Sequence, residues 1–250
     1  MKTEKITRRT FFGTMAAAGA GIVLASPSSF GFPAILKSLG KPNSKINGVQ
    51  GGCITYSFRS MNTDAESVLK YCVDAGISAI ELMGSTAEAF AGAPHTSTEP
   101  MAPFRPGQQR PQLTPEQQAE RDQRAKDIQA WRAGVAMDKF EQLRKMYKEA
   151  GVSIYAFKPN AFGVNNSDAE VNFGMRAARA LGAWHVTLEM PTQAAQTKRL
   201  SELGAVNGIF VAYHGHEQQT PKLWDAALKE SKFNMLNCDL GHYTAAGFDA

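Results

Sequence analysis

Three times along this chain a helical run closes on a glycine and a short β-rich run follows at once. Residues 64–75 precede Gly76 and the run 77–83, residues 136–150 precede Gly151 and 152–157, and residues 168–181 precede Gly182 and 184–190. Glycine supplies the left-handed turn that ends a helix, and helices alternating with short strands demand a parallel sheet covered by helices. A helix over 197–206 leading to a strand at 209–214, and a helix over 222–230 leading to a strand at 234–239, continue the rhythm. With a first, Gly-interrupted strand over 49–58, the expectation is an α/β fold with six parallel strands in consecutive order.

A barrel and an open doubly wound sheet both fit this alternation. No Gly-rich phosphate loop follows the first strand, which weakens the dinucleotide-binding version. Polar residues recur instead where the strands end: Glu81, Lys158, Glu189, His214 and Asp239. Active sites of (β/α)₈ barrels are assembled at that C-terminal rim from several strands. The expected architecture is therefore a TIM barrel truncated after its sixth parallel strand, with an open sheet as the alternative. A barrel lacking two βα units would be catalytically incomplete and would leave two strand edges unpaired.

One segment breaks the rhythm. Residues 84–135 form an insertion, Gly/Ala/Pro-rich as far as Pro111 and charged and Gln-rich from Pro115. Its second half reads as an exposed helix with Thr114 as N-cap and Pro115 in the first turn. It follows a strand, so it emerges on the active-site side as a lid or as a disordered surface loop.

The N-terminus says where the chain works. Thr7-Arg8-Arg9-Thr10-Phe11-Phe12, followed by the weakly apolar run 13–25, reads as a twin-arginine export signal covering residues 1–32. The run is too short to span a bilayer, which needs about 20 apolar residues. A linker over 33–46 and the partial barrel domain over 47–250 follow, in a protein that is periplasmic or secreted and has no stable membrane insertion once the signal is removed. The formal charge of +4 falls to about +1 without Lys2, Lys5, Arg8, Arg9 and Glu4. A near-neutral surface lacks the footprint of a dedicated nucleic-acid binder. Cys53, Cys72 and Cys238 have no ligand-like spacing and read as buried small hydrophobes. Nothing in the sequence determines the oligomeric state.

The residues suited to chemistry cluster late in the chain. In Tyr213-His214-Gly215-His216-Glu217, residues i and i+2 of an extended segment face the same way. His214 and His216 are thus suited to holding a divalent metal, or to combining one ligand with a proton-transfer group. They would otherwise be surface histidines flanking a turn. In Asn237-Cys238-Asp239-Leu240-Gly241-His242-Tyr243, a strand-end carboxylate and an imidazole three residues on can converge. Asp239 is then a candidate metal ligand and His242 a candidate contact to a substrate hydroxyl or carbonyl, the alternative for Asp239 being a cap or loop residue. Glu189 and Glu81 are carboxylates within apolar strands, where a charge needs a cation or metal as partner. Glu189 is the better metal candidate because its strand should adjoin that of His214, and Lys158 is a candidate for stabilising an enolate or an anionic group.

The order strand, Tyr-His-Gly-His, helix, strand, Cys-Asp-Leu-Gly-His-Tyr resembles the xylose-isomerase-like TIM-barrel superfamily, in particular its sugar phosphate isomerase/epimerase-type members, over about residues 47–250. That resemblance implies a divalent metal at the barrel mouth, manganese first and magnesium, cobalt, iron or zinc as alternatives, held by two carboxylates and a histidine with a further carboxylate. It carries Asp-x-x-His onto Asp239 as ligand and His242 as substrate contact. His214 departs from the pattern, standing where many sugar epimerases have a glutamate, and the His-x-His looks more like the inosose dehydratase branch and secreted relatives acting on oxidised sugars. The implied activity is metal-dependent isomerisation or epimerisation of a small sugar through an enediolate-type intermediate. Glu189, His214 and Asp239 are then the expected metal ligands, and His216, His242 and Lys158 the catalytic groups. The alternatives are a keto-sugar lyase or dehydratase, including 3-keto-glycoside elimination, and a non-catalytic carbohydrate-binding barrel.

Overall fold

A computed structural model describes residues 40–101, 112–216 and 218–249. The expected export signal, and Glu217 of the His-x-His segment, lie outside the described residues. Its first elements are a small antiparallel hairpin, β1 (Lys45–Ile46) and β2 (Val49–Gln50). Six strands then form a parallel sheet in consecutive order: β3 (Cys53–Ile54), β4 (Ala79–Met83), β5 (Ser153–Lys158), β6 (His185–Glu189), β7 (Phe210–His214) and β8 (Asn234–Asn237). Each strand pairs only with its chain neighbours, so among the described residues the sheet is open, with β3 and β8 at its edges.

The first strand is shorter than the sequence suggests. Instead of one strand over 49–58, the chain makes the hairpin, two residues of β3, and a 3₁₀ turn at Thr55–Phe58. Gly52 permits this close entry, since a Cβ there would lie 2.9 Å from the carbonyl oxygen of Ala79.

The helices follow the glycine punctuation closely. They are α1 (Ala65–Asp74), α2 (Gly84–Phe90), α3 (Pro115–Gly134), α4 (Asp138–Glu149), α5 (Asp168–Leu181), α6 (Ala194–Asn207), α7 (Asp225–Glu230) and α8 (Leu240–Ala245). Ser167 caps α5 in a reciprocal box with Glu170, and Gly182 ends it at φ +83°, a conformation that side chains with a Cβ resist. Thr114 caps α3 as the sequence predicts, and with Gln117 it completes the same reciprocal box. Neither α2 nor α8 is legible in the sequence: one starts on Gly84 within the Gly/Ala-rich segment, and the other has Asp239 as N-cap.

Between the sheet and its helices lies the core, with Ile80, Leu82, Phe157, Val186, Val211 and Tyr213 meeting Leu69, Phe140, Leu143, Phe173 and Leu200, all 0% exposed. Burying each such side chain contributes about 1.5–3 kcal/mol. The other face of the sheet carries Glu81, Lys158, Thr187, Glu189 and His214, by strand alternation and register. There the hydroxyl of Thr187 donates to the buried carboxyl of Glu81 from two strands away, so this face is concave. The insertion is not a free loop: the Trp131 ring meets that of Phe173 edge-on, and the Arg132 guanidinium is buried beside Glu88 and Glu170.

Candidate functional site

The register of β6 and β7 sets Glu189 directly beside His214. Both are the last residues of their strands, at the C-terminal rim of the concave face. Apolar Val211 and Tyr213 anchor β7 on the helix side, and the Trp224 indole donates to the Tyr213 carbonyl at 2.7 Å, which fixes the backbone that presents His214. Beyond it, Gly215 lets the chain turn where any Cβ would lie 2.5 Å from the Gln219 side chain. His216 is thereby brought back over the same rim.

Glu189 is the hub of the site. Its Oε2 lies 2.9 Å from His214 Nδ1 and 2.8 Å from His216 Nε2. Its other oxygen, Oε1, accepts from Lys158 Nζ at 2.7 Å. Among the described residues, Glu189, His214 and His216 are a group whose ligand atoms all lie within 4.8 Å of one another. A carboxylate oxygen and two imidazole nitrogens form a donor set that suits a first-row divalent metal.

Asp239 lies on the far side of His214, its Oδ2 3.4 Å from Nε2. Its Oδ1 accepts the backbone N–H of His242 at 3.0 Å, so one carboxylate both caps α8 and faces the imidazole. Of the two arrangements that the His-x-His segment allows, the geometry has His216 converging with Glu189 and His214, while Asp239 faces the second nitrogen of His214. The imidazole of His242 completes a cluster, with its centroid 4.5 Å from that of His216 and 5.9 Å from that of His214. Glu81 lies deeper on the concave face, held by Thr187 rather than by the rim histidines.

The electrostatics follow from these contacts. Burial opposes ionisation of Glu189, but hydrogen bonds from His214 and Lys158 and their positive charges outweigh it and hold the carboxyl at about 2. The hydrogen bond to Glu189 raises His214, against the opposing effect of burial. The His242 backbone N–H holds Asp239 below the usual carboxylate range. Glu81 moves the other way, raised by burial despite the Thr187 hydroxyl. His214 thus has a carboxylate at each nitrogen, and a metal bound at Nδ1 would compete with a proton there.

No protein-family model matches the chain, and no curated protein matches it. Solved structures do resemble it. An uncharacterised protein from Parabacteroides distasonis is 21% identical with a TM-score of 0.51, over 79% of this chain and 66% of that one. A sugar phosphate isomerase/epimerase from the same organism is 14% identical with a TM-score of 0.49, over 83% and 71%. A xylose isomerase-like TIM-barrel protein from Mycobacterium smegmatis, in complex with magnesium, is 13% identical with a TM-score of 0.46, over 77% and 65%. The chain spans about two thirds of the length of these structures. The likeness is one of fold: six consecutive parallel strands with covering helices.

Proposed function

We propose that this protein is a metal-dependent sugar isomerase or epimerase acting through an enediolate-type intermediate. One observation carries the proposal: a carboxylate and two imidazoles from adjacent strand ends converge within 4.8 Å at the C-terminal rim of a parallel sheet. Glu189, His214 and His216 would hold the metal, with Asp239 orienting His214 through its second nitrogen, an arrangement that strengthens many metal-bound histidines. When bound, a divalent metal supplies polarisation of a sugar carbonyl and of the hydroxyl beside it. Lys158 neutralises Glu189 and stands where it can stabilise negative charge developing on a substrate oxygen. His242, beside His216, is placed to contact a substrate hydroxyl and to move a proton at the adjacent carbon.

A second reading, elimination from a keto-sugar, releases His216 from the metal and uses it together with His242. With His216 and His242 rings 4.5 Å apart, one can remove the proton beside the carbonyl while the other assists a leaving group. A non-catalytic carbohydrate-binding barrel is the reading of another class. The deciding experiment measures bound metal by mass spectrometry and assays a panel of keto-sugars for both isomer and eliminated product. Metal-dependent isomer formation supports the first reading, and eliminated product the second. Absence of metal together with absence of turnover over the whole panel overturns both. Export by the twin-arginine route belongs to the same proposal, and Arg8→Lys with Arg9→Lys should leave the precursor in the cytoplasm.

A further inference from the structure

We infer that the groove between α4 and α5 binds a linear acidic polysaccharide, at a site separate from the rim. This groove has a volume of about 600 Å³, and five cations, Arg144, Lys145, Lys148, Arg176 and Arg179, line it against one carboxylate, Glu141. All five are exposed. Such a concentration is out of proportion to a chain whose net charge is only +4. In the groove, Lys145 reaches Glu149 only at 3.9 Å and Arg179 donates to the Asn207 carbonyl, while Arg144, Lys148 and Arg176 make no ion pair among the described residues.

Arg144 is built into place. A Cβ on Gly182 would lie 2.5 Å from its Nε, so the bare glycine that ends α5 also makes room for the guanidinium. There the arginine meets the negative end of the α5 dipole as well as the groove. Arg144 and Lys148 also line a second hollow of about 460 Å³. That hollow runs past Lys45, Ser78 and Ser153 at the N-terminal ends of the strands, opposite the rim. The two hollows share Arg144 and Lys148 and so adjoin along one basic track.

The chemistry of the track selects its occupant. Its lining holds no aromatic side chain among the described residues, which removes the stacking platform that single-stranded nucleic acids use. It also lacks the Trp and Tyr side chains that anchor many protein–protein interfaces. A flat anionic membrane would touch the helix crests and leave the concavity unfilled. A flexible chain carrying one carboxylate or sulfate per sugar can lie along the hollow and meet successive cations.

The test titrates the full chain at physiological salt with polygalacturonate, polyglutamate, an oligodeoxythymidylate and phosphatidylglycerol vesicles. Polygalacturonate should bind most tightly, and Arg144→Glu/Lys148→Glu/Arg176→Glu should weaken it at least tenfold. The neutral variant Arg144→Gln/Lys148→Gln/Arg176→Gln should weaken it in the same direction without introducing repulsion. Arg121→Glu/Arg124→Glu/Lys126→Glu, on the exposed face of α3, should leave it unchanged. Three outcomes would overturn the inference: no binding of polygalacturonate by the wild type, tighter binding of any other probe, or equal loss in the α3 variant. Metal content and sugar turnover, read in parallel, report on the rim and are independent of this result.

Discussion

Two clusters of charge in this molecule use the same kinds of side chain to different ends. In the first, the guanidinium of Arg132 donates to both oxygens of Glu88 at 3.0 Å and to Glu170 at 3.3 Å. All three residues are buried, at 5%, 0% and 7% exposure. In the second, Lys158, His214 and His216 crowd onto Glu189, whose side chain is 49% exposed. Glu170 is further occupied by Asn166 and by the cap of α5, so the buried trio has little capacity left for a ligand. At the rim the donors stand open to water and can exchange a proton for a metal. Full burial makes an ion cluster a clamp, here joining α2, α3 and α5, whereas half-burial leaves it free to act as a site.

The largest test of this contrast is Arg132→Met. It strands two buried carboxylates and should cost about 3–5 kcal/mol, measured by chemical unfolding; a loss below about 1 kcal/mol would show that the trio is not the clamp. Glu189→Gln should act the other way round. Bound metal and turnover should fall about 100-fold or more, yet unfolding free energy should change by no more than about 1 kcal/mol, as for an exposed ion pair. A loss of stability matching that of Arg132→Met would abolish the distinction between the clusters.

Smaller effects sharpen it. Asp239→Asn should weaken metal binding about 10–100-fold by removing the carboxylate that faces the second nitrogen of His214. The pH dependence has a definite sign. His214 is raised by its bond to Glu189, so its protonated form is favoured in the metal-free protein. Metal affinity should therefore weaken as pH falls through that raised value, by up to about tenfold per unit for one displaced proton. The rim pair stabilises the metal-free fold below the ordinary histidine range, and that contribution is lost as pH rises through the raised value. Metal titrations at a series of pH values check the first sign and chemical unfolding of the metal-free protein the second, and a pH-independent affinity would mean that His214 is not a ligand.

The helix-and-strand rhythm was legible because its signals are local. Gly151, Gly182 and the Thr114 cap each act within a few residues, and each structural boundary lies close to its signal. His214 was legible as a rim position too, since it closes an apolar run of strand residues. What escaped was decided at a distance. Whether His216 or Asp239 converges with Glu189 depends on how the chain turns at Gly215 and on the cap that Asp239 gives α8.

The sequence by itself determined an α/β chain with six strands in consecutive order, and it carried the residues from which a metal site can be made. Only the tertiary structure decided that the insertion is fastened to the domain and that Arg132 finds its partners 44 and 38 residues away. It also decided which carboxylate is buried: Glu81 rather than Glu189, although both stand in apolar strands. The physical reason is the range of the interactions. Capping and periodicity are set by neighbours within a turn or a pleat, whereas burial and charge pairing depend on which strands and helices lie alongside once the chain has packed.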